Sequence, residues 1–284
     1  MLMFGGSFAE DVASVQVYKE GYPFVENEDI RLAIDLLMEE VVSGSNLSLK
    51  TRFNDDMEEV ILSFQKHRSD AISMNVLYFL QEYDRINPYI GDLWSLVESK
   101  NQLLRKFYIV VNKKSEISSI EQLKGKVMGL LEFDSMQELY LDGMTLQKYQ
   151  KQSKQFFSRK QYYPKSSRAL LKLFFNKIDA CIVSERSWNT AVEINPQLKR
   201  NLQIIDISPE IFPTITLILT HKKSSELAKL YEKFAVASRM NAKTKQVLMM
   251  YQAAESQKLN VADLKPLRDF YNQYRNAIQK LEKR

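Results

Sequence analysis

The chain has few of the residues that hold metals, disulfides or reactive thiols. Its 284 residues include one cysteine, Cys181, and two histidines, His67 and His221. A lone thiol closes no intramolecular disulfide, and two histidines without a second cysteine build no Cys/His zinc cluster. Glycine is scarce as well. None of the eight falls into a Gly-x-x-x-x-Gly-Lys phosphate loop, a Gly-x-Gly-x-x-Gly dinucleotide turn or a Gly-x-Ser-x-Gly nucleophile turn, and His-Glu-x-x-His does not occur. His67 lies between Lys66 and Arg68 and His221 precedes Lys222, a setting that reads as surface and not as general-base chemistry. No apolar run reaches the ~18 residues of a membrane-spanning helix. These absences point to a protein that is not an enzyme and needs no cofactor or metal.

What is present is the composition of a folded globular protein, 45% hydrophobic and 26% charged. The length allows two lobes, each able to bury its own core. The net charge of +5 is unevenly spread. Residues 1–110 carry 10 Lys/Arg against 18 Asp/Glu, residues 111–205 carry 16 against 9, and residues 206–284 carry 14 against 8. A basic middle segment favours an anionic ligand or an acidic partner through its summed field, or serves as a solvated surface. The basic residues are dispersed and no nucleic-acid motif accompanies them, so nucleic acid is not an expected partner.

Periodicity organises the rest. Residues 14–20 alternate as a strand, and Ile30, Ala33, Ile34, Leu37, Met38 and Val41 mark a helix over 28–43. A strand at 47–53 follows, then a helix to about residue 66 opened by Asp55 and Glu58, with Asp56 and Glu59 adding charge suited to the helix dipole. A strand at 70–76, a helix near 77–84 and strands at 92–98 and 104–112 come next. The middle segment reads as a short helix opened by Ser118 and Glu121, strand 126–131, helix 135–150, strand 156–162, helix 166–176, strand 179–183 and helix 185–194. Strands at 202–208 and 215–220 and helices at 224–240, 242–252 and 262–282 complete the chain. Strand and helix alternate throughout, which predicts α/β lobes with mainly parallel sheets covered on both faces.

Two successive βα units stand out. The first is Ser118-Ser119-Ile120-Glu121-Gln122-Leu123-Lys124-Gly125-Lys126-Val127-Met128-Gly129-Leu130-Leu131. The second runs from Ala169 through Asn176-Lys177-Ile178-Asp179-Ala180 to Ser184-Glu185. This stretch resembles the second lobe of type II periplasmic solute-binding proteins, in particular the phosphonate/phosphite-type binding proteins of ABC importers. The resemblance implies a two-lobed α/β fold, each lobe a mixed, mainly parallel sheet flanked by helices, joined by two crossover hinge strands. On that plan residues 10–110 and 207–284 form lobe one, with the C-terminal helices, and residues 111–206 form lobe two. Residues 1–9, Met-Leu-Met-Phe-Gly-Gly-Ser-Phe-Ala, read either as the remnant of a signal peptide or as an ordinary apolar terminus.

The resemblance also implies where ligand is held. The family grips an oxyanion with a hydroxyl-rich turn at a helix N-terminus. The equivalent turn here is Glu132-Phe133-Asp134-Ser135-Met136-Gln137, in which only Ser135 keeps a hydroxyl and two carboxylates stand beside it. Ser135 and Glu138 also make a capping box, a structural alternative for the same serine. A second turn, Tyr163-Pro164-Lys165-Ser166-Ser167-Arg168, offers the hydroxyls of Ser166 and Ser167 and the charge of Lys165; here too Ser166 reads equally as a helix cap. From lobe one the family pattern contributes Tyr22, Asn75 and Tyr78, for which core packing is the alternative, and from lobe two Glu185, which suits a ligand amine. The expected function is capture of a small polar anion, a phosphonate-like oxyanion or a carboxylate, in an interlobe cleft for an ABC transporter permease. A ligand-sensing module handing a signal to a membrane sensor protein is the alternative. A periplasmic monomer is expected in either case.

Overall fold

The computed structural model describes residues 11–19, 28–98, 102–132, 134–214, 216–250 and 253–283. The proposed signal remnant and Tyr22 lie outside them. The chain divides into two compact units, Met1–Lys100 with Thr216–Asn260 and Asn101–Ile215 with Val261–Arg284.

The first unit opens with β1 (Asp11–Tyr18), α1 (Glu28–Val42), β2 (Leu47–Asn54), α2 (Met57–Gln65), β3 (Ala71–Asn75), α3 (Val76–Gln81), α4 (Tyr83–Ile86) and β4 (Ile90–Val97). β1 pairs in parallel with both β2 and β3, as βα crossovers require. Ile34, Leu37, Met38 and Val41 of α1 are buried together with Val15 and Val17 of β1, so the 3.6-residue stripe and the two-residue alternation meet in one core. All five residues of β3 are buried, the mark of a strand covered on both faces. The cap of α2 is Asp56 and not Asp55: its carboxylate accepts from the amides of Glu58 and Glu59.

The second unit contributes β5 (Phe107–Asn112), β6 (Val127–Leu131), α5 (Ser135–Tyr149), α6 (Ser153–Phe156), β7 (Arg159–Tyr163), α7 (Ser166–Phe174), β8 (Ala180–Ser184), α8 (Glu185–Ile194), α9 (Gln197–Asn201) and β9 (Leu202–Ile207). The expected capping box at Ser118 is absent. Gln122 Oε1 instead accepts from the amides of Ser118 and Ser119, and only a 3₁₀ turn forms at Glu121–Leu123. The sheet order is β7-β6-β8-β5-β9, with β6 parallel to β7 and β8, and β5 antiparallel to β8 and β9. Gly129 leaves room for the neighbouring strand and the loop before it, because a Cβ there would stand 2.6 Å from Ile178 Cδ1 and 3.3 Å from Cys181 Cβ.

The chain returns to the first unit through β10 (Thr216–His221), α10 (Ser225–Met240), α11 (Ala242–Met250) and β11 (Glu255–Leu259), giving a sheet of order β11-β4-β10-β3-β1-β2. β11 was not foreseen. Its sequence, Glu-Ser-Gln-Lys-Leu, has no apolar alternation, yet it pairs with β4 and is buried under α10. The last helix, α12 (Lys265–Glu282), departs from the expected division: it belongs to the second unit, packed along α5, and not with the first. Gly143 of α5 is the reason the helices approach so closely, since a Cβ there would lie 2.4 Å from Phe270 Cζ. The Phe270 ring then joins Phe212 and Tyr140, at centroid distances of 5.9 and 6.5 Å.

The two histidines meet in the first unit, so the expectation that both are plain surface residues fails for His221. It is 2% exposed, and its ring stacks on His67 at 4.3 Å. α2 ends in a Schellman turn, with Arg68 N bonded to Ser63 O and His67 N to Phe64 O, which puts His67 at φ 52°. Ser224 Oγ donates to Asp70 Oδ1 at 2.7 Å and lies 2.9 Å from His67 Nε2. Since that hydroxyl proton is already given to Asp70, His67 is the donor to Ser224. Lys223 N donates to His221 Nδ1 at 3.1 Å, so Nδ1 is held unprotonated and the ring is neutral. Burial lowers the affinity of His221 for a second proton, helped by His67, Lys223 and Lys222 and opposed by Asp70. Tyr89 also stacks near the His221 ring, at 6.3 Å, with Lys222 over the Tyr89 ring.

Two outcomes follow from this packing. Gly129→Val is expected to destabilise the protein by about 1–3 kcal/mol through overpacking, read as a lower urea midpoint. His221 has a folded-state proton affinity below its unfolded one, near pKa 6.5. Its contribution is therefore complete above about pH 6.5 and is lost as pH falls below that value, because the unfolded chain then binds the extra proton. Urea melts between pH 8 and 5 should show this loss, and His221→Gln should flatten it.

Candidate functional site

Register brings chemically useful groups to one edge of the second unit's sheet. β6, β7 and β8 run the same way, so they end at the same edge, and α5, α7 and α8 begin there. β5 enters from that edge, with Phe107 opposite Ser184, the last residue of β8. Helix N-termini carry unpaired amides and partial positive charge, so the strand ends of such sheets suit anions.

The start of α5 is occupied by its own chain. Asp134, and not the expected Ser135, is the cap: Oδ1 accepts from Met136 N at 3.2 Å and from Gln137 N at 3.4 Å. The Arg105 guanidinium meets this carboxylate with Nη1 3.2 Å from Oδ2 and Nη2 3.4 Å from Oδ1. Both side chains are buried, at 6% and 0% exposure. Arg105 Nη2 also donates to Pro213 O, its main chain bridges Phe212, and the Phe107 ring lies 5.3 Å from its Cζ. Gln137 folds back so that its Oε1 accepts from Leu131 N. Ser135 is the first helical residue, and its Oγ is buried without a hydrogen-bond partner among the described residues.

The other two helix starts differ. Lys165 holds the cap position of α7 but no side chain caps the helix, so the amides of Ser166 and Ser167 open it without a side-chain acceptor. Lys165, Ser167 and Arg168 are exposed and Ser166 is half-buried. Ser166 is thus not the cap. At α8 the cap is Ser184, whose Oγ accepts from Ser187 N. Glu185 is not available as a ligand carboxylate in the way the sequence suggested: Tyr108 OH donates to its Oε1 at 2.5 Å and Lys106 Nζ lies 3.1 Å from the same atom. The Tyr108 hydrogen bond, then the Lys106 ammonium, holds the Glu185 carboxyl below its usual range. Burial and this carboxylate push the Tyr108 phenol up to about 12.

In the first unit Asn75 ends β3 and caps α3, its Oδ1 accepting from Leu77 N at 2.8 Å and Tyr78 N at 3.2 Å. Tyr78 packs edge-on against Tyr18 at 4.9 Å. These two therefore carry structural duties at the C-terminal end of β3. Among the described residues no group of three or more His, Cys, Asp or Glu converges to hold a metal ion. Burial raises the Cys181 thiol, which leaves it unreactive at neutral pH. Sequence reasoning missed Asp134 and Arg105. Asp134-x-x-Gln137 is itself a capping pattern, offset by one residue from Ser135-x-x-Glu138, whereas nothing local marks Arg105.

Residues 22–264 match the family model described as "ABC transporter, phosphonate, periplasmic substrate-binding protein". Among curated proteins no match was found. Solved structures share the fold at low identity. A binding protein component of an ABC phosphonate transporter from Pseudomonas aeruginosa superposes with a TM-score of 0.59 at 16% identity, covering 96% of this chain and 89% of its own. A Prochlorococcus marinus protein in complex with methylphosphonate gives 0.59 at 16% identity, covering 93% and 98%. A Xanthomonas citri protein bound to ATP gives 0.59 at 13%, covering 95% and 98%.

The ion pair under α5 has a measurable consequence. Arg105→Met leaves the Asp134 carboxylate buried without its counter-charge and is expected to cost about 3–5 kcal/mol. Adding Asp134→Ser should recover most of that loss in urea melts. Equal stability of Arg105→Met and the parent protein would show that the pair is not a structural anchor.

Proposed function

The chain belongs to the family of periplasmic substrate-binding proteins of phosphonate ABC transporters, and from that premise we propose that it captures a small oxyanion at the strand-end edge of its second unit. Proteins of this family are periplasmic, bind small molecules and deliver them to ABC transporter permeases; they are not enzymes. No helix among the described residues is long and apolar enough to cross a membrane.

The observation that carries the proposal is the uncapped start of α7. The Ser166 and Ser167 amides and hydroxyls lie there with Lys165 at the cap position, a donor set that suits an oxygen anion. The Ser135 hydroxyl on the same edge supplies another donor. Glu185 acts through Lys106 and Tyr108, fixing the entry of β5, and not by direct contact with ligand.

A thermal-shift screen against phosphate, phosphonates, sulfate and carboxylates tests this reading. A ligand at 100 times its Kd is expected to add about 2.7 kcal/mol of stability. Lys165→Ala and Ser135→Ala should each weaken the hit about tenfold, about 1.4 kcal/mol, without lowering the melting temperature of the free protein. Unchanged affinity in both would remove the site from this edge.

A further inference from the structure

The start of α5 carries what an oxyanion site needs, namely unpaired helix amides and a buried guanidinium, but Asp134 already fills it. We propose that Asp134 is a specificity-determining residue, a resident anion that closes the α5 end to external oxyanions and restricts the ligand to a singly charged anion such as a carboxylate. This rests on the reading of the second unit's edge as the ligand site.

Three observations support it. First, the Asp134 carboxylate uses the donors that would otherwise meet a ligand. Met136 N and Gln137 N bond to Oδ1, and both terminal nitrogens of Arg105 face the carboxylate. Second, the Asp134 side chain is fully buried, so solvent does not compete with it for Arg105. The positive charge of Arg105 is matched locally, and none is left over for a second anion. Third, the Ser135 hydroxyl beside this filled turn is buried without a partner among the described residues, so one neutral donor remains where a charged grip is already satisfied. A dianion would need two strong donor sets on this edge. Among the described residues, α7 is the one of the three helix starts on this edge without a side-chain cap, and Glu132 stands on the same edge.

The test compares wild type with Asp134→Ser, which keeps a capping hydroxyl and removes the resident charge. Titrations use methylphosphonate, inorganic phosphate and acetate, followed by calorimetry and by backbone amide NMR. In wild type, methylphosphonate is expected to leave the Met136 and Gln137 amides unmoved. In Asp134→Ser, methylphosphonate and phosphate affinity should rise at least tenfold, with large shifts at those two amides. Wild-type binding of methylphosphonate with shifts at Met136 and Gln137 would overturn the proposal, as would a folded Asp134→Ser with no gain. Should the variant fail to fold, the wild-type amide titration decides alone. The Ser166 and Ser167 amides report separately on the α7 reading: if they stay silent with every anion while Asp134→Ser gains phosphonate binding, that reading fails and the resident anion stands.

Discussion

The buried pair of Arg105 and Asp134 is the contact on which the strand-end edge of the second unit depends. It ties the segment that precedes β5 to the cap of α5 and, through Pro213 O and the bridge to Phe212, to the segment that follows β9. A charge pair in so dry a place gains little net stability over apolar side chains of equal volume, but each partner is costly to lose alone. Its value here is positional. The Asp134 carboxylate, the helix amides and the guanidinium satisfy one another there.

The surrounding elements follow the same economy of donors. Three helices begin at one sheet edge and each treats its free amides differently: α5 gives them to an aspartate, α8 to a serine, and α7 to no side chain. Helix starts that are internally satisfied hold the fold. Glu185 shows the same principle, its charge spent on Tyr108 and Lys106.

Much of the architecture was legible from periodicity. The limits of α1, α8 and β2 fall within a residue or so of the expected ones, because an apolar stripe at 3.6-residue spacing or a two-residue alternation is local information. β11 was missed for the converse reason: its polar sequence becomes a strand only because β4 offers an unpaired edge under α10. α12 was expected as a helix over 262–282, yet its partner was not, since helical periodicity does not name the surface a helix covers. Gly143 and Phe270, far apart in the chain, decide that by fitting together.

The candidate site divides along the same line. By itself the sequence determined the alternating α/β order, the family pattern across residues 118–185, and the two loops, 132–137 and 163–168, where strands hand over to helices. Only the tertiary structure decided which side chains in those loops are free to act. Asp134 found Arg105, Glu185 found Tyr108 and Lys106, and His221 found His67 and the Lys223 amide. Helix and strand propensities act over a few residues, whereas the availability of a charge depends on partners that the fold brings from distant parts of the chain.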